Sequence, residues 1–387
     1  MKLSQDSEIL EDFIDNYKLK KFHLTDGNVA FMKKIYDLLY EANQQDLSKI
    51  KEYFPSSGIN EMANFDESLQ EIHNDVKLKY NKQFNFEFTI GHRKFILHMF
   101  FPNASLKTEC VSICRKRLKY IYCWLYVANS LAQTQYAKEL TINIAFTEHK
   151  KQKPPKRKTF DAVHVNTAYT YACQSATNIS IFRKEEWFKV LIHETFHSMG
   201  LDFVCMDNST IEAKVASLFP VKKYDIRVYE TYCEMWAEII NVLFVAFFGT
   251  KVKENYPLIV RKMDKMLMYE AHFSLFQLNK ILDTYGLTYM DLKNERQIYK
   301  ENTYVISYYV LKSIMMCFMN IFIEWCDKEN QSILFKKSKR VLTSFGNLIE
   351  KLHMHPILLK NIHHIQKMKS GNKFVNNTMR MSLYEMG

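Results

Sequence analysis

The sequence predicts an α+β protein, with a mixed sheet in its middle third and a mainly helical remainder. Three observations predict it. Glycine occurs nine times and proline seven in 387 residues, against averages of roughly 7% and 5%. That leaves few tight turns and favours long helices. Strict apolar–polar alternation, the mark of a half-buried strand, begins only near Phe84. From Val204 onward apolar residues recur only at helical spacing.

Residues 1–83 read as a helical N-terminal lobe, with Ile35, Leu38, Leu39 and Leu47 at apolar positions and Pro55-Ser56-Ser57-Gly58 as a break. Phe84 to Ile90 alternates and is a strand. Gly91-His92 turns the chain, and Lys94 to Phe101 returns as the second strand of a hairpin. Lys107 to Leu131 is a helix, Leu140 to Phe146 a strand, and Ala162 to Tyr171 an extended segment. Asn178 to Phe182 is a short edge strand running into a helix from Lys184 to Met199. Gly200 sits where a left-handed residue would end that helix. Residues 84–203 therefore form an α/β subdomain. Residues 204–387 form a helical lobe, with helices over 226–248, 255–284, 304–327 and 330–353.

Composition excludes several chemistries. No Gly-x-Gly-x-x-Gly turn, Walker loop or Gly-x-Ser-x-Gly elbow is present. The net charge is +11, which reads as a lysine-rich solvated surface. Nucleic acid is the less favoured partner, because the basic run Lys150 to Lys158, an exposed loop, lacks interleaved aromatics. The eight cysteines form no Cys-x-x-Cys pair and read as reduced, buried thiols. The start of the chain lacks an apolar signal segment, and Tyr304 to Cys326 carries Lys312, Asn320 and Glu324, so it reads as a buried helix rather than a membrane span. These readings imply a cytoplasmic or nucleocytoplasmic protein without a transmembrane segment.

The helix ending at Met199 contains His193-Glu194-Thr195-Phe196-His197. At i and i+4, two imidazoles lie on one face and can bind one ion. Glu194, about 100° around the helix from His193, can take a proton from a water on that ion. An accidental match is expected in roughly 3% of shuffled chains, so context decides. The apolar residues Phe188, Leu191, Ile192, Phe196 and Met199 fall opposite the histidines, which places the histidines on a cleft. On the helix over 226–248, Glu230, Glu234 and Glu238 share one face among apolar neighbours. Such a stripe is costly to bury unless each carboxylate is paired, protonated or metal-bound.

With these residues the chain resembles the zincin metallopeptidases, and within them the gluzincin-like branch, over about Phe86 to Phe248. The resemblance implies a mixed sheet with a backing helix and an active-site helix, followed by a helical lobe that carries the third metal ligand. Glu234-x-x-x-Glu238 matches the family's Glu-x-x-x-Asp/Glu pattern best. It implies Glu234 as ligand and Glu238 as the carboxylate holding a histidine. Glu230-x-x-x-Glu234 also matches and makes Glu230 the rival ligand. The strand Asn178–Phe182 would line the cleft and pair with an extended peptide. The chain departs from the metzincin pattern, since Phe203 stands at its third ligand position. Asp202, one residue earlier, is then an alternative ligand or a hydrogen-bonding partner behind the ligands. Tyr308, Tyr309 and His164 are the candidate oxyanion stabilisers. The composition is also similar to zincin-like proteins of large double-stranded DNA viruses.

The function this implies is zinc-dependent hydrolysis of peptide or protein substrates. His193, His197 and Glu234 would hold Zn2+, and Glu194 would be the general base. The alternatives are a zincin-like structural or interaction protein without turnover, for instance a virion component, and a nucleic-acid-binding protein.

Overall fold

The structure is a computed structural model, described here for residues 3–17, 23–53, 69–105, 107–221, 226–294 and 299–386. The expected break at Pro55–Gly58 lies outside the described residues. In chain order the elements begin with α1 (Gln5–Asp15), α2 (Asp26–Asn43), β1 (Lys51–Tyr53) and α3 (Gln70–Lys79). There follow β2 (Lys82–Ile90), β3 (Arg93–Phe101), α4 (Lys107–Leu131), β4 (Glu139–Ala145), α5 (Ala162–Val165), β5 (Ala168–Thr170), β6 (Ala176–Ile181) and α6 (Trp187–Ser198). The rest is helical: α7 (Ser209–Leu218), α8 (Val228–Phe248), α9 (Tyr256–Tyr285), a π-helix (Ile306–Leu311), α10 (Lys312–Cys317), α11 (Met319–Glu329), α12 (Lys339–Leu352), α13 (Pro356–Ile365) and α14 (Lys373–Asn377). The chain divides into two compact units: residues 32–150 with 166–205, and residues 1–31 with 151–165 and 206–387.

The first of these, the sheet unit, is a six-stranded mixed sheet in the order β1-β2-β3-β4-β6-β5. β2 and β3 are the expected hairpin, paired from Lys82↔Phe101 to Ile90↔Arg93. Gly91 makes its turn at φ 58°, a conformation that suits a residue without Cβ. α4 is the crossover between the parallel strands β3 and β4. One sheet face is apolar and packs on α4. Phe88 stacks on Phe95 at 5.4 Å and meets Tyr122 of α4 at 5.5 Å. Arg117 of α4 lies over the Phe146 ring at 3.6 Å. The opposite face carries a polar row in register, Asn85, His98, Asn143 and Ser180, all buried. His98 Nδ1 and Asn143 Oδ1 close its centre at 2.8 Å.

Two expectations for this region are corrected. The segment before α6 is not an edge: β6 pairs with β4 on one side and with β5 on the other, so β5 is the edge strand. The stretch 162–171 is not continuously extended either, because α5 precedes β5. Sequence alternation could show that β6 is a strand, but not that a three-residue neighbour would fold back beside it.

The second, helical unit is organised on α8, in which every residue from Val228 to Phe247 is buried. α8 is long and apolar enough to cross a membrane, and 94% of its apolar window is buried, consistent with no transmembrane segment. The helix expected over 304–327 is instead a π-helix, α10 and α11. They are bent by 91° at a break by Phe318, whose φ and ψ are −123° and 38°. The stretch 330–338 lies outside α12, which Ser338 caps by accepting from Val341 N. The helical reading also fails beyond Asn377, where Thr378 to Met386 is a buried segment outside any helix. Nor is the basic run wholly exposed. Lys151 is buried, and Lys153 N donates to Asn377 O at 2.8 Å, while Lys156, Arg157 and Lys158 stay at the surface.

Cys173 and Cys205 form a disulfide, with Cα atoms 6.1 Å apart. This corrects the reading of all eight cysteines as thiols. Cys110, Cys114, Cys123, Cys233, Cys317 and Cys326 do remain free. Cys173 lies in the polar turn between β5 and β6, not in an apolar run, which is the signal that set it apart.

Candidate metal centre

Where β6 ends, the chain is turned into α6 by a dense set of bonds. Phe182 N donates to Thr167 O at 3.0 Å, and Thr147 Oγ1 donates to Phe182 O at 2.6 Å. Lys184 N donates to Thr147 O at 3.0 Å, and buried Arg183 donates from Nε to Asn166 O at 3.0 Å. Glu186, in the left-handed region at φ 59°, precedes the first turn. The predicted apolar stripe then packs on α4: Phe196 stacks on Trp124 with ring centres 6.2 Å apart, and Phe188 meets Tyr120 at 6.3 Å.

The face carrying the motif is buried as well. His193 is 4% exposed, Glu194 8% and His197 7%. The Nε2 atoms of His193 and His197 lie 3.1 Å apart. Two nitrogens bound tetrahedrally to one zinc at ~2.0–2.1 Å would lie about 3.3 Å apart, so this spacing fits a shared ion.

The other nitrogen of His197 is fixed. Its Nδ1 lies 2.5 Å from Asp202 Oδ2, and Asp202 is fully buried. With the Asp202 oxygen as acceptor, Nδ1 is the donor and Nε2 presents its lone pair toward His193 Nε2. Asp202 Oδ1 accepts from Val204 N at 3.2 Å, which locks the carboxylate in turn. Of the two roles expected for Asp202, this geometry is the hydrogen-bonding one.

The end of α6 explains how Asp202 reaches back. Leu201 N donates to Phe196 O at 2.8 Å, and Gly200 N donates to His197 O at 3.2 Å. These two bonds make a Schellman cap around Gly200 at φ 65°. The expected left-handed glycine is therefore in place. The cap reverses the chain, so the second residue after Gly200 faces the last turn of the helix. The Cys173–Cys205 disulfide ties this segment, three residues beyond Asp202, to the β5–β6 turn.

In the helical unit, Glu230, Glu234 and Glu238 are all buried on α8, with exposures of 6%, 3% and 0%. Glu238 Oε2 meets Lys312 Nζ at 2.6 Å. The resemblance implied that Glu238 holds a ligand histidine, but its carboxylate is instead paired with this cation. Lys312, a lone charge in an apolar run, was the sequence signal for that pairing. The oxyanion candidates also have partners: Tyr309 Oη donates to Met379 O at 2.6 Å, Tyr308 packs edge-on to Tyr304 at 5.9 Å, and His164 Nδ1 accepts from Asp161 N at 3.0 Å. Among the described residues, His, Glu, Asp and Cys groups are positioned to hold a metal ion.

Comparison with known proteins returns no relative: no family model matches the chain, and neither a curated protein nor a solved structure does.

Proposed function

We propose that the protein is a zinc-dependent peptidase of the zincin kind. The observation that carries the proposal is the pair of Nε2 atoms 3.1 Å apart, one of them fixed in its tautomer by a buried carboxylate. We assign His193, His197 and Glu230 as ligands. The Glu-x-x-x-Glu stripe of α8 offers a third donor in Glu230, and Glu234 is the alternative. Zinc, when bound, would polarise the scissile carbonyl and lower the pKa of a bound water. Glu194 would be the general base toward the attacking water and the proton donor to the leaving amine. Asp202 holds His197 in place and disperses positive charge onto a buried carboxylate. The sheet edge available to an extended peptide belongs to β5, since β6 is paired on both sides.

The test is metal analysis of the purified protein beside His193→Ala, followed by a quenched-fluorescence peptide library with and without chelator. Near-stoichiometric zinc, lost in the variant, with chelator-sensitive cleavage supports the proposal. Equal metal content in the two proteins overturns it.

One observation favours a second reading. The exposures of 4%, 8% and 7% at His193, Glu194 and His197 suit an ion held for structure, in a zincin-like scaffold without turnover. Stoichiometric zinc with no cleavage of any library peptide is the result that reading expects.

A further inference from the structure

In the helical unit, one irregular stretch of chain is held as an enzyme or receptor holds a peptide. Thr378 to Met386 is buried throughout, with exposures from 0% to 9%. From Met379 to Leu383 its apolar side chains alternate: Met379, Met381 and Leu383 are interleaved with Arg380 and Ser382. This is strand-like patterning, yet the segment lies in no sheet. Its two ends make main-chain pairs. Thr378 bridges Gln152, Met379 N donates to Lys151 O at 3.0 Å, and Met386 bridges Leu3.

Between those ends the backbone is read by buried side chains of α8, α9, the π-helix and α10. Asn241 donates to Tyr384 O at 2.9 Å. The Glu270 carboxylate accepts from Leu383 N at 2.8 Å and from Tyr384 N at 2.9 Å. Gln277 donates to Arg380 O, and Lys280 donates to Thr378 O at 2.5 Å and to Val375 O at 2.9 Å. Tyr309 donates to Met379 O at 2.6 Å, and Lys312 donates to Met381 O at 2.5 Å.

Polar side chains of this kind are expensive to bury, and a donor or acceptor left without a partner costs about 1–3 kcal/mol. Here a large share of their hydrogen bonding is supplied by one segment's main chain. Main-chain recognition with apolar pockets at alternate positions is how extended peptides are bound. We propose that the helical unit carries a peptide-binding channel whose resident is the chain's own Thr378–Met386. The ligand class it takes is an extended peptide with apolar residues at alternate positions, held through its amides and carbonyls. This inference is independent of the metal centre.

The channel makes the covalent connection dispensable, and the full-length chain can test that. Gly371 is exposed, and a Cβ built there meets nothing within 4 Å, so a specific protease site inserted beside it is expected to be tolerated. After cleavage, native size exclusion and mass spectrometry should find the C-terminal fragment still bound. A labelled synthetic peptide of residues 372–387 should then exchange into the nicked protein. The same nicked protein carrying Glu270→Ala should release its fragment at least about tenfold faster. Release of the fragment at once, unfolding on cleavage, or exchange indifferent to Glu270 would overturn the proposal.

Discussion

The carboxylate of Asp202 lies 2.5 Å from Nδ1 of His197, reached from a turn only five residues further along the chain. This relationship fixes both the tautomer and the rotation of the ring, which is what the proposed role of His197 as a ligand requires. Asp202→Asn should leave the fold intact and lower zinc affinity roughly 10–100-fold. Competition against a chromophoric chelator reads the affinity, and the thermal midpoint reports the fold. Unchanged affinity would mean that the pair is structural only.

Gly200 sets that turn at φ 65°. An alanine there strains the left-handed conformation by about 1–2 kcal/mol. Gly200→Ala is therefore expected to lower the urea midpoint and, by shifting Asp202, to weaken metal binding as well. Gly200→Asn, which tolerates the conformation, should recover most of both losses. Equal losses in the two variants would point to a cause other than backbone conformation.

Glu194 is adjacent to the ligands in sequence but is not assigned as one. Glu194→Gln should keep zinc at wild-type stoichiometry and reduce peptide cleavage about 10²–10⁴-fold. Loss of metal in this variant would make Glu194 a ligand and remove the proposed base.

The proposal gives the α8 carboxylates separate roles. Glu230→Ala is expected to lose zinc, and Glu234→Ala to retain it; the reverse outcome would move the third ligand to Glu234. Glu238→Ala removes the carboxylate that lies 2.6 Å from buried Lys312 Nζ. It should cost about 3–5 kcal/mol of stability, read by chemical denaturation.

Much of the sheet unit was legible from sequence because period-two alternation and Gly91 are local signals. The hairpin and β4 follow from them, while helical periodicity gives α4 and Gly200 gives the end of α6. What was not legible depends on partners distant in sequence. β6 reads as an edge until β5 pairs with it. The stretch 304–327 reads as one helix because periodicity does not register a 91° bend at Phe318. Thr378–Met386 lies in no helix or sheet, and between its ends its bonds go to side chains scattered from Asn241 to Lys312. At the candidate site, the i,i+4 histidines and the capping Gly200 are local features that spacing shows. The bond from His197 to Asp202 needed the turn geometry.

Glu270 gives the helical unit a defined pH response. Burial first, and then the neighbouring Glu238, raise its pKa well above 4.5, against the opposing pull of Lys312 and the amides of Leu383 and Tyr384. A carboxyl whose folded pKa exceeds its unfolded value holds its proton more tightly in the native state. Its contribution to stability is thus complete below about pH 4.5 and declines as pH rises toward the folded value. Glu270→Gln cannot ionise and should abolish this decline. It also loses an acceptor for Leu383 N, which adds a constant offset rather than a slope. Urea midpoints of the two proteins between about pH 4 and pH 8 separate the terms. The wild type should lose stability relative to the variant as pH rises, and a pH-independent difference would show that Glu270 does not titrate with folding.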